Sequence, residues 1–500
     1  MPKRLTTLYP FSALLVGLVL TQILATAQVY VSNTTLYDSL VAIKNAGYLA
    51  IPNPQVMGSL REIGPAFFGG LFFTFSIGAG ISFFTLALAW VWNRIFYRNK
   101  YLLWSYLFIW VGSLISLNLH GVKLFLTSIV LLIPPAVFAL VSKSLVSLSQ
   151  QNRRPNDIIH IIPVVLLALV LAWQIDGRMF TDFRDIYLLS NPIGAKINNF
   201  YYKYTLYPAE VFKSLNQKML KTGAIKSETD TKGNALEAIL LNYDYIPVDD
   251  QMDVDLKILS IEDDVSLENR GNPVLRISSE AFFADPDKAM RAFEKKSDTD
   301  SLLRQLTFLS LLFGFPLAIY VLAHGLIGLL VGFFISPRKA ALTASALCFI
   351  VCITMMFVFQ LNRGRDISAQ NLLEALSSKH WQTRVAALKF IDEKGLEISR
   401  FKSYPDLLAS AHIAERYWLA KTLGNSENRA TYDALINFLK DPSPNVVTMA
   451  LYAIGKRGNR DVVDKILQLI ETTDSWYIQW YAYKALRSIG WRQSKSKQAP

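Results

Sequence analysis

Five histidines, two cysteines and one acidic run are the residues of this chain whose types best suit chemistry. The histidines are His120, His160, His324, His380 and His412. His160 falls early in one long apolar segment and His324 inside another. An ionisable group at membrane depth is costly and is a functional candidate by default. Two imidazoles from different helices could ligate a haem; the alternative for each is a neutral histidine hydrogen-bonded near the interface. Cys348 and Cys352 stand four residues apart, on one face of a helix. Hydrocarbon disfavours the thiolates that a metal or redox pair needs, so small buried core residues are expected. The run YDYIPVDDQMDVD carries Asp244, Asp249, Asp250, Asp253 and Asp255. Hard cations take such oxygens. The glycine and terminal glutamate of an EF-hand loop are missing, however, and a solvated acidic loop is expected. No HExxH, GxSxG, Walker loop or nucleotide fingerprint occurs in a fitting context. The expectation is therefore no catalytic residue, no metal site and no cofactor, with His160 and His324 as the candidates for binding one.

The elements that would position these residues are mostly apolar helices. The chain of 500 residues is 52% hydrophobic and 18% charged, against about 25% charged in ordinary soluble domains. Its mean hydropathy of +0.27 fits a mixture of membrane and soluble parts. A helix needs about 20 apolar residues to cross a bilayer. Seven segments qualify: Tyr9–Val31, Pro65–Trp92, Tyr101–Leu119, Val122–Val141, Ile158–Trp173, Leu303–Ile335 and Ala340–Leu361. The sixth is long enough to be kinked at Pro316 and unwound at Gly325, Gly328 or Gly332. Small residues at Gly64, Gly69, Gly70, Gly78 and Gly80 are expected to let helices approach closely. Pro134-Pro135 removes backbone donors in the middle of the fourth segment.

Lys and Arg in short loops set orientation. Lys3, Arg4, Arg94, Arg98, Lys100, Lys143, Arg153, Arg154, Arg338 and Lys339 fall on one side when spans are counted in order, and Lys44, Arg61 and Lys123 on the other. The N-terminus is expected in the cytoplasm. Seven spans then put the hydrophilic insert, residues 176–300, and the C-terminal region outside. This distribution accounts for much of the net charge of +12, so nucleic acid is not expected as a partner.

The insert opens with NPIGAKINNFYYKYTLYP, in which Tyr201, Tyr202, Tyr204 and Tyr207 crowd beside Phe200. These rings suit either the headgroup level of a membrane or packing on the insert itself. Pro208 is expected to open a helix ending at Gly223, Val254–Ile258 and Asn272–Ser278 to form strands, and Asp285-Pro286 to cap a helix through Phe293. A small α+β domain follows.

Four segments near the C-terminus repeat one pattern, an apolar helix, a polar break, a second helix with small residues and a glycine: Asn371–Gly395, Asp406–Gly424, Asp433–Gly455 and Asp464–Gly490. Asp441-Pro442, Val446-Val447, Ala450, Leu451, Ala453, Ile454 and Gly455 carry the pattern most clearly. The region from about Ser368 to Gly490 resembles the HEAT-repeat family. The resemblance implies a helical solenoid and a surface for protein partners; it implies no reaction. Tyr477, Trp480, Tyr481 and Lys484 share one face of the last helix and are the candidate partner-binding residues, with membrane contact or internal packing as alternatives. Arg492, Lys495 and Lys497 belong to a basic tail, 491–500, expected to be disordered.

The fold class expected is mainly α: a polytopic membrane domain of about seven spans (1–175 and 301–362), a small extramembrane α+β insert (176–300) and a HEAT-like α-solenoid (363–490). The function expected is a membrane scaffold or assembly factor, in contact with lipid and with protein partners. The alternative is a transporter or lipid-handling membrane enzyme with a regulatory repeat domain. Cysteine usage and compact loops point to a bacterial inner membrane, with the insert and the repeats on the periplasmic face.

Overall fold

The computed structural model describes residues 9–119, 121–150, 158–210, 212–227, 229–249, 253–363 and 367–495. The chain is mainly helical with one small sheet. It divides into two compact units: Met1–Val31, Ile63–Met179 and Asp300–Val358 form the first, and Ser32–Glu62, Phe180–Thr299 and Phe359–Pro500 the second.

The first unit holds the apolar helices. By length and composition six helices can cross a membrane: Pro10–Asn45, Ile63–Arg94, Lys100–Asn118, Leu124–Ser147, Ser301–Val331 and Pro337–Asn362. A seventh is reached when the bent pair Ile162–Gln174 and Met179–Leu188 counts as one. Two of the six contain a π-turn, at Thr74–Gly78 and at Ser310–Gly314. The second lies just before Pro316, which has no N–H to continue the regular ladder. The long sixth helix is therefore interrupted there. Gly325 and Gly328 stay helical, and Gly325 makes room for the Phe11 ring, whereas the helix ends at Val331 with Gly332 as its cap. The helix Leu124–Gln150 runs through Pro134-Pro135 unbroken.

Glycine sets the closest helix contacts of this unit. A Cβ on Gly314 would overlap the Gly80 backbone, one on Gly80 the Ser310 side chain, and one on Gly78 the Thr21 side chain. Gly70 sits against Gln22 and Thr26. Gly64 does not share this role, since the space beside it is open. Thr74 Oγ1 donates to Gln22 Oε1 at 2.7 Å, and Gln22 Nε2 donates to the Phe67 carbonyl at 2.8 Å. These bonds pair the polar groups of the two helices with one another.

The second unit contains four helical hairpins. Their inner helices are Trp381–Lys394, Ile413–Thr422, Pro444–Arg457 and Trp476–Ser488. Leu388, Leu419, Leu451 and Leu486 are wholly buried along this stack. A hairpin with so apolar a face needs a neighbour to bury it, and stacking supplies one. Polar bonds repeat with the stack: Arg384 donates to the Ser378 carbonyl and pairs with Glu415, and Arg416, 32 residues on, donates to the Ser410 carbonyl and pairs with Asp441. The pattern-closing glycines divide into two kinds. Gly395 and Gly490 take left-handed φ of 62° and 87° and end helices. Gly424 and Gly455 do not. A Cβ on Gly455 would stand 3.0 Å from Ala485 Cα, and one on Gly424 3.1 Å from Ala453 Cα. Their bare α-carbons let successive inner helices approach, and the third helix ends instead at Gly458, with φ of 75°.

The insert forms a five-stranded sheet in the order β2-β1-β3-β4-β5, from β1 (Lys221–Ser227), β2 (Tyr245–Pro247), β3 (Leu256–Ile261), β4 (Asp264–Asn269) and β5 (Asn272–Ser278). The first three strands are parallel and the rest antiparallel. Pro208 does not open a helix ending at Gly223. It lies in the last turn of helix Pro192–Ala209, and Gly223 lies in β1. A side chain at 223 would press on Leu240 and Tyr245, so the crossover helix Asp230–Asn242 needs glycine there. Strand Asn272–Ser278 and the helix from Pro286, running to Lys296, form as expected.

Candidate functional site

The inner helices of the four hairpins line a surface that a segment of the same unit covers. This segment runs from Phe180 to Ala209 and ends in the helix Pro192–Ala209. Its contacts follow the order of the repeats. Asp182 pairs with Lys389 of the first inner helix at 2.7 Å and with Arg363 at 2.9 Å. Asp185 pairs with Lys389 at 3.0 Å and accepts from Trp418 Nε1, on the second inner helix, at 2.8 Å. Asn198 Nδ2 donates to Asn445 Oδ1 on the third at 2.7 Å. Tyr202 stacks on Tyr477 of the fourth, with centroids 4.3 Å apart.

Asp182 is 4% exposed and Asp185 1%. Burial of two carboxylates this deep demands cations and donors on every side. Arg184, paired with Asp185 at 2.7 Å, lies 4.0 Å over the Tyr417 ring, and Lys389 and Lys421 lie 5.0 and 4.6 Å from the Trp418 ring. The arrangement is saturated. It holds two chain segments together.

The residues singled out from sequence fall differently around this surface. Tyr477 is buried against Tyr202, and burial raises its phenol well above the ordinary range. Burial pushes Tyr481 up to about 12. Lys484 is exposed and lies 4.1 Å over the half-buried Trp480 ring, while burial and then the charge of Lys213 hold its ammonium below the usual value. Tyr201 points outward, Tyr202 and Tyr204 are half-buried, and the side chain of Tyr207 lies outside the described residues. His324 is half-buried in helix Phe315–Val331, with Nε2 3.4 Å from the Ala341 carbonyl. The side chain of His160 is outside the described residues. Cys348 is buried and Cys352 partly so. Among the described residues, no three of His, Cys, Asp and Glu are placed to hold a metal.

The acidic run is not simply a solvated loop. Asp244 accepts from Tyr483 Oη at 2.6 Å and pairs with Arg487 at 2.8 Å, fixing the insert to the last inner helix. Asp255 pairs with Lys218 at 2.8 Å and accepts from the Thr222 amide. Asp250 lies outside the described residues. The start of the tail is also fastened. Gln493 is 4% exposed and bonds both backbone groups of Leu49, at 3.1 and 2.9 Å. Lys497 lies outside the described residues.

Asn53 is a contact that sequence reasoning missed. Its Nδ2 donates to the carbonyls of Ile470, Glu471 and Thr473 at 2.8, 3.1 and 3.1 Å, and its backbone N–H donates to Gln479 Oε1 at 2.8 Å. The orphan carbonyls at the end of helix Val463–Thr472 are thereby satisfied. A solenoid needs a polar finish at its last repeat, and the segment around Asn53 contributes one. The signal available was slight: an Asn between two prolines, and two aspartates three residues apart just past an apolar helix.

Residues 405–491 match the family model described as HEAT repeats. No curated protein and no solved structure matches the chain. The hairpin Leu372–Leu376 and Trp381–Lys394 precedes the matched residues and packs on the next in the same manner.

Proposed function

We propose that the protein is an integral membrane scaffold or assembly factor whose second unit recruits protein partners. The observation that carries this reading is the HEAT-repeat match within a stack of four hairpins. Such stacks are extended binding surfaces. The inner face is already covered by the protein's own residues 180–209, so recruitment falls to the outer helices and the insert. Leu373, in the outer helix Leu372–Leu376 and 69% exposed, is an apolar position open to a partner there.

The span order supports an anchored body on one side of a membrane. Ser32–Glu62 follows the first apolar helix, Phe180–Thr299 the fifth and Phe359–Pro500 the seventh. All three follow an odd-numbered crossing, so seven crossings return them to the same side. The excess of Lys and Arg in the other short loops favours the outer, periplasmic face of a bacterial inner membrane. Native membrane extract carrying the tagged protein should yield a stoichiometric protein partner. Its loss on Leu373→Glu is the expected result, and recovery of the protein with no stoichiometric partner would overturn the reading.

A second reading, a transporter or lipid-handling enzyme, draws on the two π-turns packed together in the first unit. Such turns often mark functional sites. Transfer of a fluorescent lipid between leaflets of proteoliposomes, absent from protein-free liposomes, would favour it.

A further inference from the structure

We infer that the helix Pro192–Ala209 has two partners on adjoining faces, the repeats on one and the surface of the bilayer on the other. This rests on the reading that the apolar helices of the first unit span a membrane. At 100° per residue, Gly194, Asn198 and Tyr202 form one face, and these are the residues turned to the rest of the unit. The adjoining arc carries Ile193, Ile197, Phe200 and Tyr201, which are 74%, 54%, 41% and 48% exposed. Four large apolar side chains on one helix face, left in water, form a patch that calls for a cover.

Three observations identify the cover as lipid. The patch is continuous along the chain with an apolar helix, since Pro192 follows the last residue of Ile158–Gln174 by only 18 positions. Phe180 and Phe183, 51% and 44% exposed, lie in the stretch between. Lys196 and Lys203, both exposed, flank the apolar arc on one side. Their stems can lie along the apolar surface while the ammonium groups reach the headgroups. An aromatic and aliphatic arc edged by lysine is the composition of a helix lying in the plane of the interface. Elsewhere in the second unit the exposed large apolar residues, such as Ile261 and Leu396, stand singly. The helix would thus hold the repeat stack to the membrane surface beside the point where the chain leaves it.

The test uses the full chain in phosphatidylethanolamine–phosphatidylglycerol nanodiscs, with Cys348→Ser and Cys352→Ser. Ile197→Cys, Tyr201→Cys, Phe108→Cys and Ile261→Cys each receive a nitroxide, and collision with oxygen is compared with collision with a water-soluble nickel chelate. Positions 197 and 201 should show an oxygen-to-nickel ratio severalfold above that at 261 and approaching that at 108. A ratio at 197 and 201 equal to that at 261 overturns the proposal, as does shielding from both reagents, which would indicate a protein or a second copy as cover. A water-like ratio at 108 would instead overturn the membrane reading itself.

Discussion

Asp185 is where the account is most exposed to a single substitution. Its carboxylate satisfies Trp418 Nε1, Lys389 and Arg184 together at 1% exposure. Asp185→Ala takes the carboxylate partner from Arg184 and the acceptor from the Trp418 indole, leaving Lys389 only Asp182, and breaking a buried pair in this way costs about 3–5 kcal/mol. A lower melting temperature and faster tryptic cleavage after Lys196 and Lys203 are expected. Unchanged cleavage would mean that the segment is held without the ion pairs. Two other carboxylates predict the response to acid. Burial alone would raise Asp255, but Lys218 and the Thr222 amide outweigh it and hold the group below its ordinary 3.8. Burial alone would likewise raise Glu397, but hydrogen bonds from Ser426, Ser399 and the Glu427 amide outweigh it and hold the group below its ordinary 4.5. A depressed folded-state value gives stability that is present above the unfolded value and lost as pH falls through the folded one. The melting temperature should therefore drop below about pH 4.5, and less steeply in Asp255→Asn than in the parent.

At the scale of the element, glycine makes opposite predictions at different sites. Gly455→Val drives side-chain atoms into the Ala485 backbone and should cost about 1–3 kcal/mol by overpacking. Gly314→Val should be as damaging, through the Gly80 backbone, and should lower the yield of folded protein from membranes. Gly233→Ala, in the helix Asp230–Asn242 with only Ser227 Cβ at 4.0 Å, should instead raise stability by about 0.5–1 kcal/mol. Melting curves of the three variants check all of these. The same scale shows what the sequence made legible. Apolar helices announce themselves because an unbroken run of about twenty apolar residues is itself a local signal. The repeats do so because Ala450, Leu451, Ala453 and Ile454 record the packing of one helix on the next. Strand β1 was hidden. KTGAIKS shows no alternation, since β1 pairs on both edges and packs under a helix, and Gly223 reads as a helix stop unless Leu240 and Tyr245 are known to lie against it. The inner-face contacts were hidden for a different reason. Asp182 and Lys389 lie 207 positions apart, and no local pattern joins them.

At the scale of the molecule, three separated stretches of chain fold as one unit. Asn53 caps a helix of the last repeat, Asp182 binds the first, and Asp244 binds the last inner helix. These are ties between the segment after the first apolar helix, the insert and the C-terminal region. If the apolar helices cross a bilayer, the three must share one face of it, and seven crossings satisfy that condition. The most direct measurement is therefore a labelling of four single-cysteine proteins in intact cells, in a Cys348→Ser, Cys352→Ser background, with a membrane-impermeant thiol reagent. The substitutions are Glu62→Cys, Glu280→Cys, Ser494→Cys and Arg338→Cys, all at exposed positions. The account predicts that positions 62, 280 and 494 label in intact cells and that 338 labels only after lysis. Labelling of 494 in step with 338, and opposite to 280, would contradict it.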